Sequence, residues 1–486
     1  MDIIDAINRG ARNFPDKIAH ISDVRTLTYR ELWERSEALA GYFTERYPGD
    51  KSPVAIVGHK EPEMLIGFLA AVKSGRPYIP IDRSIPAHRA DRIVQSSGAI
   101  ATLTASQISE ISDADSLVKP SRVECEDPFY IIYTSGSSGE PKGVVITLQC
   151  LTTFLDWMLE EQQLIEGRET FLNQAPFSFD LSVMDLYLSL ATTGTLFSIG
   201  KGEIENPKKL YSAFGRSAVT SWVSTPTFAQ MCLVERRFGQ AMLPELRRFL
   251  FCGETLAPET ASQLLDRFPE ANVWNTYGPT EATVACASVH VTRDLLARYS
   301  PLPIGAPMPG TKVFVADANA EPVPEGDRGE IIIAGTNVSA GYLGRPDLTN
   351  SSFFHLGALR AYHTGDWGRI RDKFLFFEGR IDGQVKVNGH RIELGDLEEN
   401  LRNLPTVADA VVLPIIRKGV AESLAAFVVL VRRGPETEFE LGTQLRAQLA
   451  ERVPVYMLPR KILFYDAFPL TANGKTDRRT LAASIA

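Results

Sequence analysis

The 486 residues carry 51 Lys+Arg against 59 Asp+Glu, a net charge of -8, with 44% hydrophobic and 23% charged residues. That composition is globular and excludes wholesale disorder. The acidic balance excludes a general polyanion binder, so nucleic acid is not expected as a partner, and at roughly 100–200 residues per domain the length allows two to four domains.

The opening stretch, MDIIDAINRGARNF, is polar and amphipathic, and lacks the positive leader, apolar segment and cleavage site of a secretory signal. No apolar run approaches the ~18 residues of a membrane helix. The five cysteines (Cys125, Cys150, Cys232, Cys252, Cys286) form no CxxC pair and no His/Cys ligand spacing. They read as reduced thiols, and a cytoplasmic protein without membrane insertion is expected.

Thr28 followed by Glu31 predicts a capping box, and Leu32, Trp33, Leu39, Tyr42 and Phe43 then mark one face of a helix over 28–47. Residues 53–58 (PVAIVG) read as a buried strand. Residues 62–74 read as a helix opened by Pro62 and closed by Gly75, and residues 78–81 as the next strand. A strand–helix–strand unit favours parallel pairing and an α/β fold. Further strands are expected at 129–134, 194–199, 219–225, 247–253 and 272–278. After about residue 300 the segments TKVFVAD, GEIIIAG and RIRDKFLFFEGR predict short antiparallel strands. Beyond Arg380 a compact α+β tail is expected, with helices near 394–403 and 438–452.

Four stretches carry candidate chemistry. The loop 133–143, YTSGSSGEPKG, follows an apolar strand. Its small residues let backbone approach an anion, its hydroxyls donate, and Lys142 supplies charge. The spacing is not that of a standard P-loop, and composition alone fits a surface turn as well. At 275–281, NTYGPTE, Tyr277 can stack on a purine, Thr280 can bond a phosphate oxygen, and Glu281 can ligate Mg²⁺, a hard cation that prefers oxygen. A turn with a helix-start Thr/Glu pair explains those residues more simply when they are taken alone. At 362–366, YHTGD, Asp366 can accept both hydroxyls of a ribose, with Arg380 adding a donor. A turn aspartate capping local backbone is the plain alternative. At 470–477, LTANGKTD, Lys475 sits in a Gly/Asn loop that is ordinary surface by itself.

In order and spacing these stretches resemble the core motifs of the adenylate-forming superfamily: acyl-CoA synthetases, luciferases and the adenylation domains of nonribosomal peptide synthesis. Residues 329–331 (GEI), 341–343 (GYL) and 386–393 (KVNGHRIE) extend the resemblance over essentially the whole chain. It implies an α/β fold with a large N-terminal domain, residues 1–381, built of α/β subdomains plus a small β-barrel-like subdomain. A small mobile α+β C-terminal domain, residues 382–486, would carry the catalytic Lys475 and hinge at Asp382.

The resemblance also implies two half-reactions. A carboxylate attacks the α-phosphate of ATP, and a thiol then displaces AMP. Thr134, Ser135, Gly136 and Lys142 would hold the β and γ phosphates, with Ser138 standing where threonine is usual. Asn275 and Tyr277 would frame the adenine, with Gly253, Thr276, Gly278 and Pro279 completing that side. Thr280 would meet the α-phosphate and Glu281 the Mg²⁺. Asp366 would hold the ribose, beside Phe377, Glu378, Gly379 and Arg380. Lys475 would bridge the substrate carboxylate and the α-phosphate, contacting nucleotide and substrate alike.

The stretch 177–185, FSFDLSVMD, indicates which carboxylate is activated. In superfamily members acting on amino acids an aspartate here pairs with the α-ammonium. Asp180 therefore implies an amino acid, since a buried carboxylate facing a fatty acid would be a penalty. A helix N-cap is the alternative role for Asp180. Leu181, Met184, Leu250, Cys252, Thr276, Val284 and Ala285 would line the pocket. None is charged, so a small apolar side chain is expected. Residues 171–187, 224–228, 231–233, 251–254 and 275–285 look like D-alanine–D-alanyl carrier protein ligases. Those stand-alone enzymes load D-alanine onto the phosphopantetheine thiol of a small carrier protein for D-alanylation of teichoic acids, and their cysteine at the Cys252 position helps favour the D enantiomer. No pantetheine-bearing serine follows Lys475, so a separate carrier is expected. The tail VKVNGHRIELGDLE is nearer to peptide-synthetase adenylation domains, which keeps open the same chemistry on another small amino acid such as proline or alanine. The presence of Lys475, Glu281 and Asp366 argues against a silent nucleotide-binding protein.

Overall fold

The computed structural model describes residues 1–113, 121–136, 140–381, 383–387, 389–417, 420–432, 434–469 and 476–485. The expected hinge Asp382, the lysine Lys475 and Ser138 of the glycine-rich loop lie outside these residues. The chain forms two compact units. The first comprises Met1–Arg83, Ser96–Tyr133 and Gly143–Ile381, and the second Ser84–Gln95, Thr134–Lys142 and Asp382–Ala486.

The first unit is built on two largely parallel sheets. Among the described residues one has nine strands, and its interior strands, from Asn272–Tyr277 through Arg248–Phe251, Ser221–Ser224, Thr170–Asn173 and Thr195–Ser198 to Ile18–Ile21, all pair parallel. Such strands are covered on both faces, which is why they read as unbroken apolar runs rather than alternating ones. Trp222, Phe228, Phe238, Phe249 and Phe268 fill one side of this sheet as a cluster of edge-on and stacked rings.

The second sheet contains the predicted strand–helix–strand unit. Val54–Gly58 pairs parallel with Tyr78–Asp82, and the helix Pro62–Lys73 that joins them is buried along its whole length. Between Glu63 and Lys73, each held in an ion pair, the helix is apolar on every face, which fits only an interior position. Pro62 occupies its first turn, and Gly75 ends it at a φ of 77°, where a Cβ would lie 2.8 Å from the Ser121 carbonyl oxygen. The helix Tyr29–Arg46 carries the expected reciprocal Thr28/Glu31 capping box.

After residue 300 the antiparallel texture takes the form of a five-stranded sheet. One strand is longer than the short segments expected: Leu359–Arg371 runs for 13 residues and pairs with Gly329–Ala334, Phe353–Leu356 and Phe374–Arg380. Asp372 and Lys373, at φ of 54° and 65°, make the tight turn to Phe374–Arg380.

The second unit contains the ribbon Gln384–Val387/His390–Glu393. It also has a three-stranded sheet of Val407–Arg417, Val420–Leu430 and Lys461–Tyr465, with the helices Leu394–Arg402 and Glu438–Ala450. Leu397, Leu401, Val412, Val428 and Leu449 form its core. Among the described residues no helix is long and apolar enough to cross a membrane. Cys125 is exposed, whereas Cys150, Cys232, Cys252 and Cys286 are buried.

Candidate active site

Parallel strands deliver their C-terminal ends to one edge of a sheet, where open α/β folds place their ligands. Three strands of the nine-stranded sheet do so here. Asn272–Tyr277 leads into Gly278, Pro279 and Thr280. Arg248–Phe251 leads into Cys252 and Gly253. Thr170–Asn173 leads into the loop that ends at Asp180. Gly253 has a φ of 91°, a conformation that costs glycine little. At Gly278 a Cβ would fall 2.6 Å from Ala285 Cα, so the chain folds back onto that position only because it is glycine.

Asp366 lies opposite Arg380 across two antiparallel strands, at a bulge between Asp366 and Gly368. Arg380 Nη1 donates to Asp366 Oδ1 at 2.6 Å and to the Thr364 carbonyl at 3.0 Å. Tyr277 donates its hydroxyl to Asp366 Oδ2 at 2.5 Å. Burial, then the neighbouring Asp366 charge, pushes the Tyr277 phenol well up, so it stays a neutral donor. A carboxylate has about four lone-pair sites, so the fixed Asp366 retains acceptor capacity for a diol. Asn275 donates to the Pro303 carbonyl at 2.8 Å and Thr276 to the Phe251 carbonyl at 2.9 Å, bonds that lock the strand end in place. Phe377 is half-buried. Glu378 is exposed and engages Arg369 and Arg328.

Asp180 stands at the start of the buried helix Leu181–Ala191, in the N-cap position. Its side chain does not cap: its φ and ψ of -58° and -26° are already helical, and no cap bond forms. Instead Thr280 Oγ1 donates to Asp180 Oδ2 at 2.6 Å. Leu181 and Met184 lie one turn apart on that helix. Both are buried, as are Leu250, Cys252, Val284 and Ala285.

Glu281 is fully buried and accepts from the Tyr342 hydroxyl at 2.7 Å. Among the described residues no three His, Cys, Asp or Glu side chains cluster to hold a metal. A cation here would take one protein carboxylate and complete its shell with water and phosphate oxygens, the habit of Mg²⁺. Immediately after Glu281 the chain turns through Thr283 and Val284, both left-handed, at φ of 58° and 69°. Two consecutive β-branched residues in that region cost on the order of 1–3 kcal/mol each and persist only where surroundings impose them. Cys252 Sγ meets the Val284 carbonyl at 3.5 Å.

The loop that delivers Asp180 rests on a buried cation missed by the sequence reading. The Lys60 ammonium, in contact with Asn173 Oδ1 and the Ala175 carbonyl, lies 4.9 Å from the centre of the Phe177 ring. Asn173 Nδ2 donates to Asp185 Oδ1 at 2.9 Å. Burial lowers the Lys60 pKa to about 7, against the raising influence of Asp185 and Asp82, and burial also raises that of Asp185. Nothing in the local sequence HKEPE marks this lysine as interior.

Of the residues expected to hold phosphate, Thr134, Ser135, Gly136 and Lys142 belong to the second unit. There Ser135 Oγ donates to the Arg391 carbonyl at 3.0 Å and accepts from the Glu393 amide at 3.2 Å.

A family model described as AMP-binding enzyme matches residues 7–343, and one described as AMP-binding enzyme C-terminal domain matches residues 396–475. The chain belongs to the AMP-binding enzyme family. It is 44% identical to the D-alanine–D-alanyl carrier protein ligase of Bacillus mycoides and 43% identical to that of Bacillus cereus, over 100% of both chains in each case. The expectation of a ligase from the adenylate-forming superfamily therefore holds. Among solved structures, an NRPS protein containing adenylation and PCP domains superposes with a TM-score of 0.84 at 27% identity, over 99% of this chain and 84% of that one. The Vibrio cholerae adenylation domain AlmE, solved with glycyl-adenosine-5'-phosphate, has a TM-score of 0.85 at 22% identity, over 100% of this chain and 97% of that one, and shares the fold.

Proposed function

We propose that this enzyme activates D-alanine with ATP as D-alanyl-AMP and transfers the acyl group to the phosphopantetheine thiol of a separate carrier protein, for D-alanylation of teichoic acid. The observation that carries this reading is Asp180. It is a buried carboxylate that opens the helix Leu181–Ala191 next to Thr280, a position from which it can pair with a substrate ammonium.

In the first half-reaction a carboxylate oxygen of the amino acid forms a bond to the α-phosphorus, and pyrophosphate leaves with the electrons of the broken P–O bond. Asp180 orients the amine. Thr280 donates toward the α-phosphate, Asp366 accepts the ribose hydroxyls, and Tyr277 and Arg380 keep Asp366 in position. Thr134, Ser135, Gly136 and Lys142 receive the outgoing phosphates, and Lys475 bridges carboxylate and phosphate. Glu281 would hold a Mg²⁺, which offsets phosphate charge when bound. In the second half-reaction the thiol sulfur attacks the acyl carbonyl and AMP departs. Residues 382–486 act as a domain that turns about Asp382 between the steps. The work is placed in the cytoplasm, where ATP is supplied.

Amino-acid-dependent exchange of pyrophosphate into ATP, run across D- and L-amino acids, tests this. D-alanine should support the fastest exchange. Exchange with D-alanine no higher than with L-proline, L-alanine or glycine would transfer the enzyme to peptide-synthetase-type loading of another small amino acid. Cys252→Ala should lower the D over L ratio, and an unchanged ratio removes the thiol from recognition.

A further inference from the structure

The left-handed pair Thr283–Val284 needs something to hold it, and the structure shows what does. Asn337 is fully buried and lies 55 residues beyond Ala282 in the chain. Its Nδ2 donates to the Ala282 carbonyl at 3.0 Å, and its backbone carbonyl accepts from Thr283 Oγ1 at 2.7 Å. Its Oδ1 accepts from Thr311 Oγ1 at 2.8 Å, which fixes the orientation of the amide. Gly335 closes the arrangement from behind: a Cβ there would lie 2.6 Å from Asn337 Oδ1 and 2.7 Å from Thr311 Oγ1. The turn so held sets Val284 between two site walls. Its carbonyl is 3.5 Å from Cys252 Sγ, and it would sit 2.8 Å from a Cβ at Gly278.

We propose that Asn337, oriented by Thr311, is a positioning residue for amino-acid recognition: it clamps Ala282 and Thr283 so that Val284 presents a fixed wall beside Cys252, and that wall sets the preference between enantiomers. This rests on the reading that the site takes an amino acid. The clamp reaches the pocket through Ala282 and Thr283, whereas the groups assigned to the nucleotide have their own side-chain bonds: Thr280 to Asp180, Glu281 to Tyr342, and Asp366 to Tyr277 and Arg380. Amino-acid binding should therefore respond to the clamp and nucleotide binding should not.

The test uses the full chain and pyrophosphate exchange, with KM for amino acid and for ATP measured separately in Asn337→Ala and in Thr311→Val. The second variant keeps the side-chain shape, removes only the orienting hydroxyl and touches no pocket residue, so it guards against misfolding of the first. Both should raise the amino-acid KM about tenfold and lower the D over L ratio, with the ATP KM changed less than about twofold. Thr311→Ser, which keeps the donor, should restore wild-type values. Equal rises in both KM values, or a lower melting temperature with both KM values and the D over L ratio unchanged, would overturn the clamp. Wild-type enzyme that ignores D-alanine but responds to another amino acid would overturn the substrate reading alone, and the same split is then read with that amino acid.

Discussion

Thr280 donates its hydroxyl to Asp180 at 2.6 Å, joining two segments 100 residues apart in the chain. Thr280 follows the strand Asn272–Tyr277, whose tyrosine anchors Asp366. Asp180 opens the helix whose buried Leu181 and Met184 are proposed to line the amino-acid side. This contact thus sits at the meeting point of both proposed substrates, and it helps fix the carboxylate before any ligand arrives.

Thr280→Val should therefore weaken both substrates together, each KM rising about tenfold for loss of a buried bond to a charged group. Asp180→Asn should act on one alone, raising the amino-acid KM about 100-fold by leaving the ammonium unpaired, with the ATP KM near wild type. Initial-rate measurements against each substrate separate the two. A matching rise for ATP in Asp180→Asn would refute the assigned contact.

Tyr277→Phe removes one of the two donors that fix Asp366 but keeps the ring. The ATP KM should rise by about tenfold while the amino-acid KM stays constant. If neither moves, the hydroxyl is incidental to nucleotide binding.

Lys475→Ala should abolish adenylate formation yet leave thiol transfer from a supplied acyl-adenylate. Single-turnover assays of each half-reaction decide this, and loss of both would contradict the role given to Lys475.

Far from the site, Glu169 staples the N-terminal ends of three parallel strands. Arg248 Nη1 and Thr220 Oγ1 each donate to its Oε2 at 2.7 Å. Burial raises its pKa, but the Arg248 charge and the bonds from Thr220, Ile165 and Arg248 outweigh that and leave it below its ordinary 4.5. A carboxylate depressed on folding contributes stability above the unfolded pKa and loses it as pH falls through the folded value. Wild-type melting temperature should thus drop as pH falls below 4.5, and Glu169→Gln should lack that component. At neutral pH the variant should lose about 2 kcal/mol, because the partly buried Arg248 loses its carboxylate and keeps Ser221 as a neutral partner, with both KM values unchanged.

Lys60 and Asp185 should behave as a coupled pair. Lys60→Met alone leaves a buried acid beside Asn173 and should cost about 3 kcal/mol, and Asp185→Asn alone a similar amount. The double variant should recover most of the loss. Additive losses in thermal denaturation would show that the two do not interact.

The architecture was legible where local chemistry and tertiary environment agree. VAIVG and its neighbours are apolar without alternation because both faces of their sheets are covered, and Thr28 and Glu31 satisfy each other within one turn. The motif residues Asp180, Cys252, Tyr277, Thr280, Glu281, Asp366 and Arg380 fall in the first unit, most of them where a strand ends or a helix begins. What was illegible depends on approach across the chain. Lys60 lies in a charged run that reads as surface, and only folding places it beneath Phe177. Asn337 finds Ala282 through a contact that no local pattern announces. Thr283 and Val284 adopt a conformation their own propensities oppose, so the surroundings, not the residues, decide it. The length of the strand Leu359–Arg371 was missed because its bulge at Asp366 interrupts the period that marks a strand.

The distribution of thiols offers a practical handle. With Cys125 exposed and the other four enclosed, a maleimide dye added to native enzyme should attach once, far from the amino-acid pocket in sequence. Additional labelling of Cys252 would then clock how often the pocket breathes open, turning a static burial pattern into a stopwatch for the enzyme's own fluctuations.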